Sequence, residues 1–158
     1  MQKLDLKITN GTVANSTETF RSDIGIKDGV IVAIGKEIGD SERIIDAKGQ
    51  FVLPGGIEAH CHIEQESSSG IMTSDDYYSG SVSAAFGGNT CIIPFAAQHR
   101  GQNLHDVLDL YHGRAGQKSV IDYSFHLIIS DPTENVIKNE LPDVIEQGIT
   151  SFKVYMTY

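Results

Sequence analysis

The stretch Pro54-Gly55-Gly56-Ile57-Glu58-Ala59-His60-Cys61-His62 decides how this chain is read. It has the character of a short strand ending in two histidines one residue apart. Side chains on a strand alternate faces, so residues two apart share a side. His60 and His62 are therefore expected to reach one metal ion together, with Cys61 between them pointing away into packing. Neutral imidazoles suit zinc. A second informative stretch is Thr150-Ser151-Phe152-Lys153-Val154-Tyr155-Met156-Thr157-Tyr158. Here a lysine sits inside a strand-like apolar run, where an unpaired ammonium is costly.

Between these two stretches, strand and helix alternate. After the strand ending at His62 comes a polar loop, Glu64 to Ser74. A helix is expected from Asp76 to Phe86, with Thr73 and Asp76 spaced as a capping box and Gly87-Gly88 as the stop. Thr90 to Phe95 reads as a second strand. Asn103 to Arg114 reads as a second helix, with Leu104, Val107, Leu108 and Tyr111 at helical spacing. Tyr123 to Ile129 is the third strand. Asp131-Pro132-Thr133-Glu134 starts a third helix, expected to break before Pro142 and resume to Gln147, with Gly148 as its cap. Ser151 to Thr157 is the fourth strand. Four strands joined by three helices imply parallel βαβ units in an α/β fold. They form either the first half of a (β/α)8 TIM-like barrel or part of an open doubly wound sheet. No Gly-x-Gly-x-x-Gly follows the first strand, which removes support for dinucleotide binding.

Residues 1–53 read as a different kind of unit, a small all-β sandwich segment. Leu4 to Ile8 alternates, Asn10-Gly11 is a hairpin signal, and Asp23 to Lys27 alternates again. Asp28-Gly29 then turns the chain into Val30 to Ile34, and Arg43–Asp46 and Phe51–Leu53 complete the set. The expected division is thus 1–53 and 54–158.

The 158 residues are 40% hydrophobic and 21% charged, as in a globular protein with a real core. The net charge of −9 argues against a nucleic-acid partner, which normally meets a basic face. Apolar runs are too short to cross a membrane, and the first residues lack a signal-peptide stretch. Two cysteines, Cys61 and Cys91, make no disulfide framework, so a reducing, cytoplasmic setting is expected.

Three runs together carry a family resemblance: Pro-Gly-Gly-Ile-Glu-x-His-x-His, Ser83-Ala84-Ala85-Phe86-Gly87-Gly88-Asn89-Thr90, and Phe152-Lys153-Val154-Tyr155-Met156-Thr157-Tyr158. They resemble the dihydropyrimidinase and D-hydantoinase branch of the amidohydrolase superfamily, which hydrolyses cyclic amides. The resemblance covers the whole chain. It implies that His60 and His62 are ligands of the more buried metal. It implies that Lys153 is carboxylated by CO2 (N6-carboxylysine) and bridges two divalent ions, zinc being the expected metal. It implies that Tyr158 is catalytic and substrate-binding, donating a hydrogen bond to the substrate carbonyl. The implied reaction is opening of a dihydropyrimidine or hydantoin ring by a metal-bridged hydroxide, in a homo-oligomer, a tetramer by resemblance. Glu58 stands where many relatives carry aspartate. The serine-rich loop lacks the apolar residues common in hydantoinase substrate loops, which bears on the ring substituent.

The family also uses two histidines on the fifth and sixth strands and an aspartate on the eighth. The expectation is therefore that these residues are the N-terminal portion of a longer protein and are inactive alone. Allantoinase-like and dihydroorotase-like activities are the neighbouring alternatives, and Arg100 is the one cation near a loop that a carboxylate substrate would need. A non-catalytic assembly module is the alternative of another class. His126 is read as a core histidine, His99 as part of a solvated loop, His105 and His112 as exposed helix positions, and Asp75 and Asp76 as capping residues.

Overall fold

The computed structural model describes residues 3–67 and 69–156. The chain divides into two compact units, Met1–Pro54 and Gly55–Tyr158.

In the first unit, β1 (Leu4–Ala14), β2 (Thr19–Lys27) and β3 (Val30–Gly35) form an antiparallel ribbon. β4 (Ser41–Asp46) and β5 (Phe51–Val52) both return parallel to β1, one beside each half of it. The five strands thus make one mixed sheet. The described strands of the expected all-β segment lie in this one sheet. The length of β1 explains this, because it offers a free edge to β4 and β5 in turn. Leu4, Val13 and Ile24 are buried, while Val30, Val32, Ile44 and Phe51 stay exposed. Asn10-Gly11 is not the expected hairpin turn either. It lies inside β1, where the register slips between Ile8 and Gly11 and Asn10 takes φ 57°. A residue in the left-handed region serves a bulge as well as a turn. The reversal occurs instead at Asn15, whose Oδ1 accepts from the backbone N–H of Thr17 (2.8 Å) and Glu18 (3.0 Å). Asp28 and Gly29 turn as expected, with φ 51° and 75°.

The second unit runs β6 (Gly56–Cys61), α1 (Tyr77–Phe86), β7 (Asn89–Ala97), α2 (Leu104–Ala115), β8 (Asp122–Tyr123), β9 (His126–Ile129), α3 (Leu141–Glu146) and β10 (Phe152–Val154). β6, β7, β9 and β10 are neighbours in chain order and all parallel; the short β8 also pairs with β7. A doubly wound sheet would reverse its strand order at a switch point. These four strands show no reversal, and the helices pack on one side. Tyr77 of α1, Leu108 of α2 and Val144 of α3 join Ile92 of β7 and Leu127 of β9 in one buried cluster. Burial of that side supplies the main driving force.

Two helix starts and one expected break differ in detail from the sequence reading. Asp76 alone caps α1, accepting from Ser79 N–H at 2.9 Å. Thr73 does not complete a capping box; its hydroxyl accepts from Gln65 N–H at 3.0 Å. The third helix begins at Thr133, whose Oγ1 accepts from Val136 N–H at 3.2 Å. Asp131, the expected cap, instead accepts from Gly101 N–H at 2.8 Å. The helix does not break before Pro142. A π-turn over Val136–Glu140 leads straight into α3, and Pro142 follows directly on that turn without interrupting the helix.

Glu140 ties this turn to α2. Its carboxylate accepts from Leu104 N–H (2.8 Å) at the start of α2 and from Asn135 Nδ2 (2.8 Å), and the residue is buried. Glu140→Ala leaves that N–H without an acceptor and is expected to cost about 1–3 kcal/mol. Glu140→Gln, which keeps an acceptor, is expected to cost less. Urea unfolding of the three proteins checks the order.

Candidate metal and substrate site

The register of the parallel strands sorts side chains onto two faces. Cys61 lies opposite Pro94 and packs against the helix-side cluster. Burial, with Glu58 as a second cause, pushes its thiol up to about 11. Phe95 lies opposite His126, and Lys153 opposite Ile128, on the other face. His60 and His62 reach that same face from the end of β6.

These side chains meet at one ring. Phe95 is 5% exposed. His60 stands edge-on to it, with centroids 4.9 Å apart, and His62 stacks on it at 5.0 Å and 20°. Lys153 Nζ lies 4.3 Å from its centroid, and the His126 ring is 5.2 Å away. The two ligand candidates are themselves 5.6 Å apart, ring to ring. Ala59, His60, Phe95, His126, Ser151 and Lys153 line an open depression. The half-buried ammonium of Lys153 is met by ring faces, Phe95 and, at 5.2 Å, Tyr155. Such contacts are worth about 0.5–2 kcal/mol.

His126 is satisfied, as expected, but it does not lie in the core. It is half-buried at the start of β9, with both nitrogens engaged. Nε2 is 2.8 Å from the carbonyl of Ala59, which can only accept, so Nε2 carries the proton. Nδ1 then accepts from Ser151 Oγ at 2.6 Å. With no lone pair left to offer, His126 braces the strand that carries His60. His105 is also more engaged than expected. Its Nε2 lies 3.6 Å from Asp143 and its Nδ1 3.2 Å from Gln147 Nε2. His112 is exposed, set against Phe125 at 5.0 Å. Among the described residues His99 is held through its backbone, donating its N–H to Gln102 Oε1 at 2.8 Å. Asp75 accepts from Ser79 Oγ at 2.8 Å. Tyr158 lies outside the described residues. Among those described, no group of three or more His, Cys, Asp or Glu is gathered as a metal site. The donors brought together are two imidazoles and one lysine.

The loop after His62 is clamped. Glu64, at φ 45°, accepts Lys118 Nζ on both carboxylate oxygens (2.8 and 2.9 Å) and Tyr77 N–H at 3.2 Å. Its carbonyl accepts from Arg114 Nη1 at 2.9 Å. Lys118 also approaches Asp76 at 3.5 Å. The hydrogen bond to Glu64 raises the Lys118 pKa; the Ser79 N–H lowers that of Asp76. Gln65, the next residue, places Oε1 2.6 Å from His62 Nδ1. Neither Phe95 nor Gln65 stood out in the sequence. The signals were the two-residue alternation Cys91-Ile93-Phe95 and the three-residue step from His62.

The family model for the urease alpha-subunit, N-terminal domain, matches residues 1–53. Over 155 residues, 98% of this chain, the chain is 45% identical to a D-hydantoinase of Ralstonia pickettii. Over 153 residues it is 46% identical to a D-hydantoinase of Geobacillus stearothermophilus. It covers 34% and 32% of those proteins, so the chain spans about a third of the length of the curated relatives it matches. Among solved structures, a D-hydantoinase superposes with a TM-score of 0.93 at 45% identity, covering 98% of this chain and 34% of that one. The dihydropyrimidinase from Brevibacillus agri gives 0.90 at 41%, covering 96% and 33%. The resemblance read from the three motifs thus extends over nearly all of this chain in both sequence and fold. No described helix is long and apolar enough to cross a membrane.

Two outcomes test this construction. Phe95→Ala removes the ring between four side chains and is expected to cost about 3–5 kcal/mol, read by urea unfolding. Lys118→Met is expected to lower the melting midpoint at pH 7. A raised lysine pKa in the folded state adds stability that is full below the unfolded value and lost as pH rises through the folded one. The difference between wild type and Lys118→Met should therefore shrink above about pH 10.4, the ordinary lysine value. A difference that stays constant to pH 11 would show that the charge is not what holds the loop.

Proposed function

We propose that this chain forms part of a metal-dependent cyclic-amide hydrolase of the D-hydantoinase and dihydropyrimidinase type, acting on a small ring such as a dihydropyrimidine or hydantoin. The observation that carries the reading is the meeting of His60, His62 and Lys153 at the ring of Phe95, on the sheet face away from the helices. In this reading the four parallel strands are half of a (β/α)8 barrel, a fold whose sites lie at the C-terminal ends of its strands, where β6 carries His60.

The donor chemistry fits two divalent ions, zinc by preference. Two imidazoles on one face suit a first ion. Lys153 would give up its ammonium protons and add CO2 to form a carbamate anion, which would help hold the ions while their positive charge offset its own. When bound, the pair supplies a hydroxide nucleophile at neutral pH and polarises the ring carbonyl. The chain's own residues do the rest. Phe95 holds both imidazoles against rotation, His126 fixes the strand behind His60, and the Glu64–Lys118 pair fixes the loop that borders the substrate. Tyr158 is assigned the hydrogen bond to the substrate carbonyl, a contact whose loss typically costs roughly 10²–10³ in rate. The general acid and the remaining metal ligands belong to sequence outside this chain. The protein is proposed to work as a cytoplasmic homo-oligomer, and the 158 residues alone to give no turnover.

The test compares this chain with its coding sequence extended to the length of the relatives, both with zinc and bicarbonate. Dihydrouracil, hydantoin, allantoin and dihydroorotate are assayed. The extended protein is expected to open dihydrouracil or hydantoin, and Lys153→Ala to reduce that to background. Turnover that survives Lys153→Ala sinks the metal reading. Turnover of dihydroorotate or allantoin alone sinks the substrate class, and no turnover at all favours an assembly module.

A further inference from the structure

We propose that Gln65 is a positioning residue that fixes His62 in the tautomer protonated at Nδ1, leaving Nε2 bare as the metal-binding nitrogen; the metal half of this statement rests on the function proposed above. The argument starts from the two torsions that orient a histidine ring. Stacking on Phe95 at 5.0 Å and 20° sets the plane of the His62 ring. Stacking alone does not distinguish the two orientations related by a half-turn, nor which nitrogen carries the proton. The contact with Gln65 does both. Its Oε1 lies 2.6 Å from Nδ1, and an amide oxygen can only accept, so Nδ1 donates. A neutral imidazole carries one N–H, and Nε2 is then a free lone pair.

Gln65 is itself held in place, which separates an orienting contact from a chance one on a loop. Its N–H donates to Thr73 Oγ1 at 3.0 Å, and its carbonyl accepts from Thr73 N–H at 3.0 Å. The preceding residue, Glu64, donates its N–H to Asp75 O at 2.9 Å and carries the Lys118 and Arg114 contacts. The backbone on both sides of the Gln65 side chain is therefore pinned across the loop. The three site histidines are then distinct. His126 has both nitrogens occupied, His62 has one, and the His60 ring has no hydrogen bond among the described residues. A partner on the second nitrogen is the usual way a protein orients an imidazole ligand and raises its basicity.

The experiment uses the 158-residue chain, metal-free and 15N-labelled, at a pH where its imidazoles are neutral. Long-range 1H–15N correlation spectra read the tautomer, with His62 assigned through His62→Asn. In wild type, His62 is expected to show a protonated Nδ1 and a bare Nε2. Gln65→Met, nearly the same size but without an acceptor, is expected to shift His62 toward the Nε2-protonated form. Gln65→Glu is expected to restore the wild-type pattern. Circular dichroism confirms that each variant keeps its fold. A His62 already protonated at Nε2 in wild type, or a tautomer that ignores Gln65→Met, overturns the positioning role. Zinc affinity by competition with a chromophoric chelator is the second readout. Gln65→Met is expected to weaken it about 10–100-fold, and Gln65→Glu to recover it. A tautomer that shifts while zinc affinity stays put overturns His62 as a ligand and leaves the positioning intact.

Discussion

The site depends on a single buried ring. Phe95 lies mid-sheet on β7, and strands β6 and β9 flank it, so side chains from both sides converge on it without any long loop. An aromatic ring offers a negative face and a positive edge. Phe95 uses these differently: His62 stacks, His60 stands edge-on, and the ammonium of Lys153 sits over the face. An aliphatic residue of similar volume would fill the same space without sorting three polar groups by orientation. The packing of one apolar side chain thus becomes the geometry of a polar cluster.

The second constraint is the join between His62 and α1. Sites on strand ends are precise only if the following loop does not drag the last residue about. Here the loop is closed by charge from behind. Lys118 and Arg114, at and just beyond the end of α2, hold Glu64 from the helix side, while Gln65 faces His62. The stretch Glu64-Gln65 therefore takes its support from one face of the sheet and delivers it to the other.

The parallel half of the fold was legible because helix and strand periods alternate cleanly after Gly55, and Asp76 marks the start of α1. Errors arose where one local signal serves two structures. Asn10-Gly11 permits left-handed backbone, which a bulge within β1 needs as much as a turn. Asp131-Pro132-Thr133 contains two capping residues, and a contact with Gly101, distant in sequence, took the first. Pro142 reads as a breaker unless a π-turn shifts the register before it. Apolar alternation over residues 4–34 reports a set of strands without saying which strand lies beside which. The same limit applied to the site. His60 and His62 could be placed on one face by counting, and Lys153 was joined to them only by the resemblance; Phe95, Gln65 and the two bonds of His126 depend on neighbours set by strand pairing.

The position of Lys153 carries one more consequence within the proposed function. As an ammonium, it is accommodated by the ring faces of Phe95 and Tyr155, which attract a cation. A carbamate in the same place would be an anion over a negative quadrupole, and those faces would oppose it. The apolar strand therefore holds the lysine comfortably in one state only while no other cation is present. Under the proposed function, carboxylation would be favourable only with divalent charge in the depression to outweigh the ring. The aromatic packing around Lys153 would thus favour the carbamate only where metal charge offsets it.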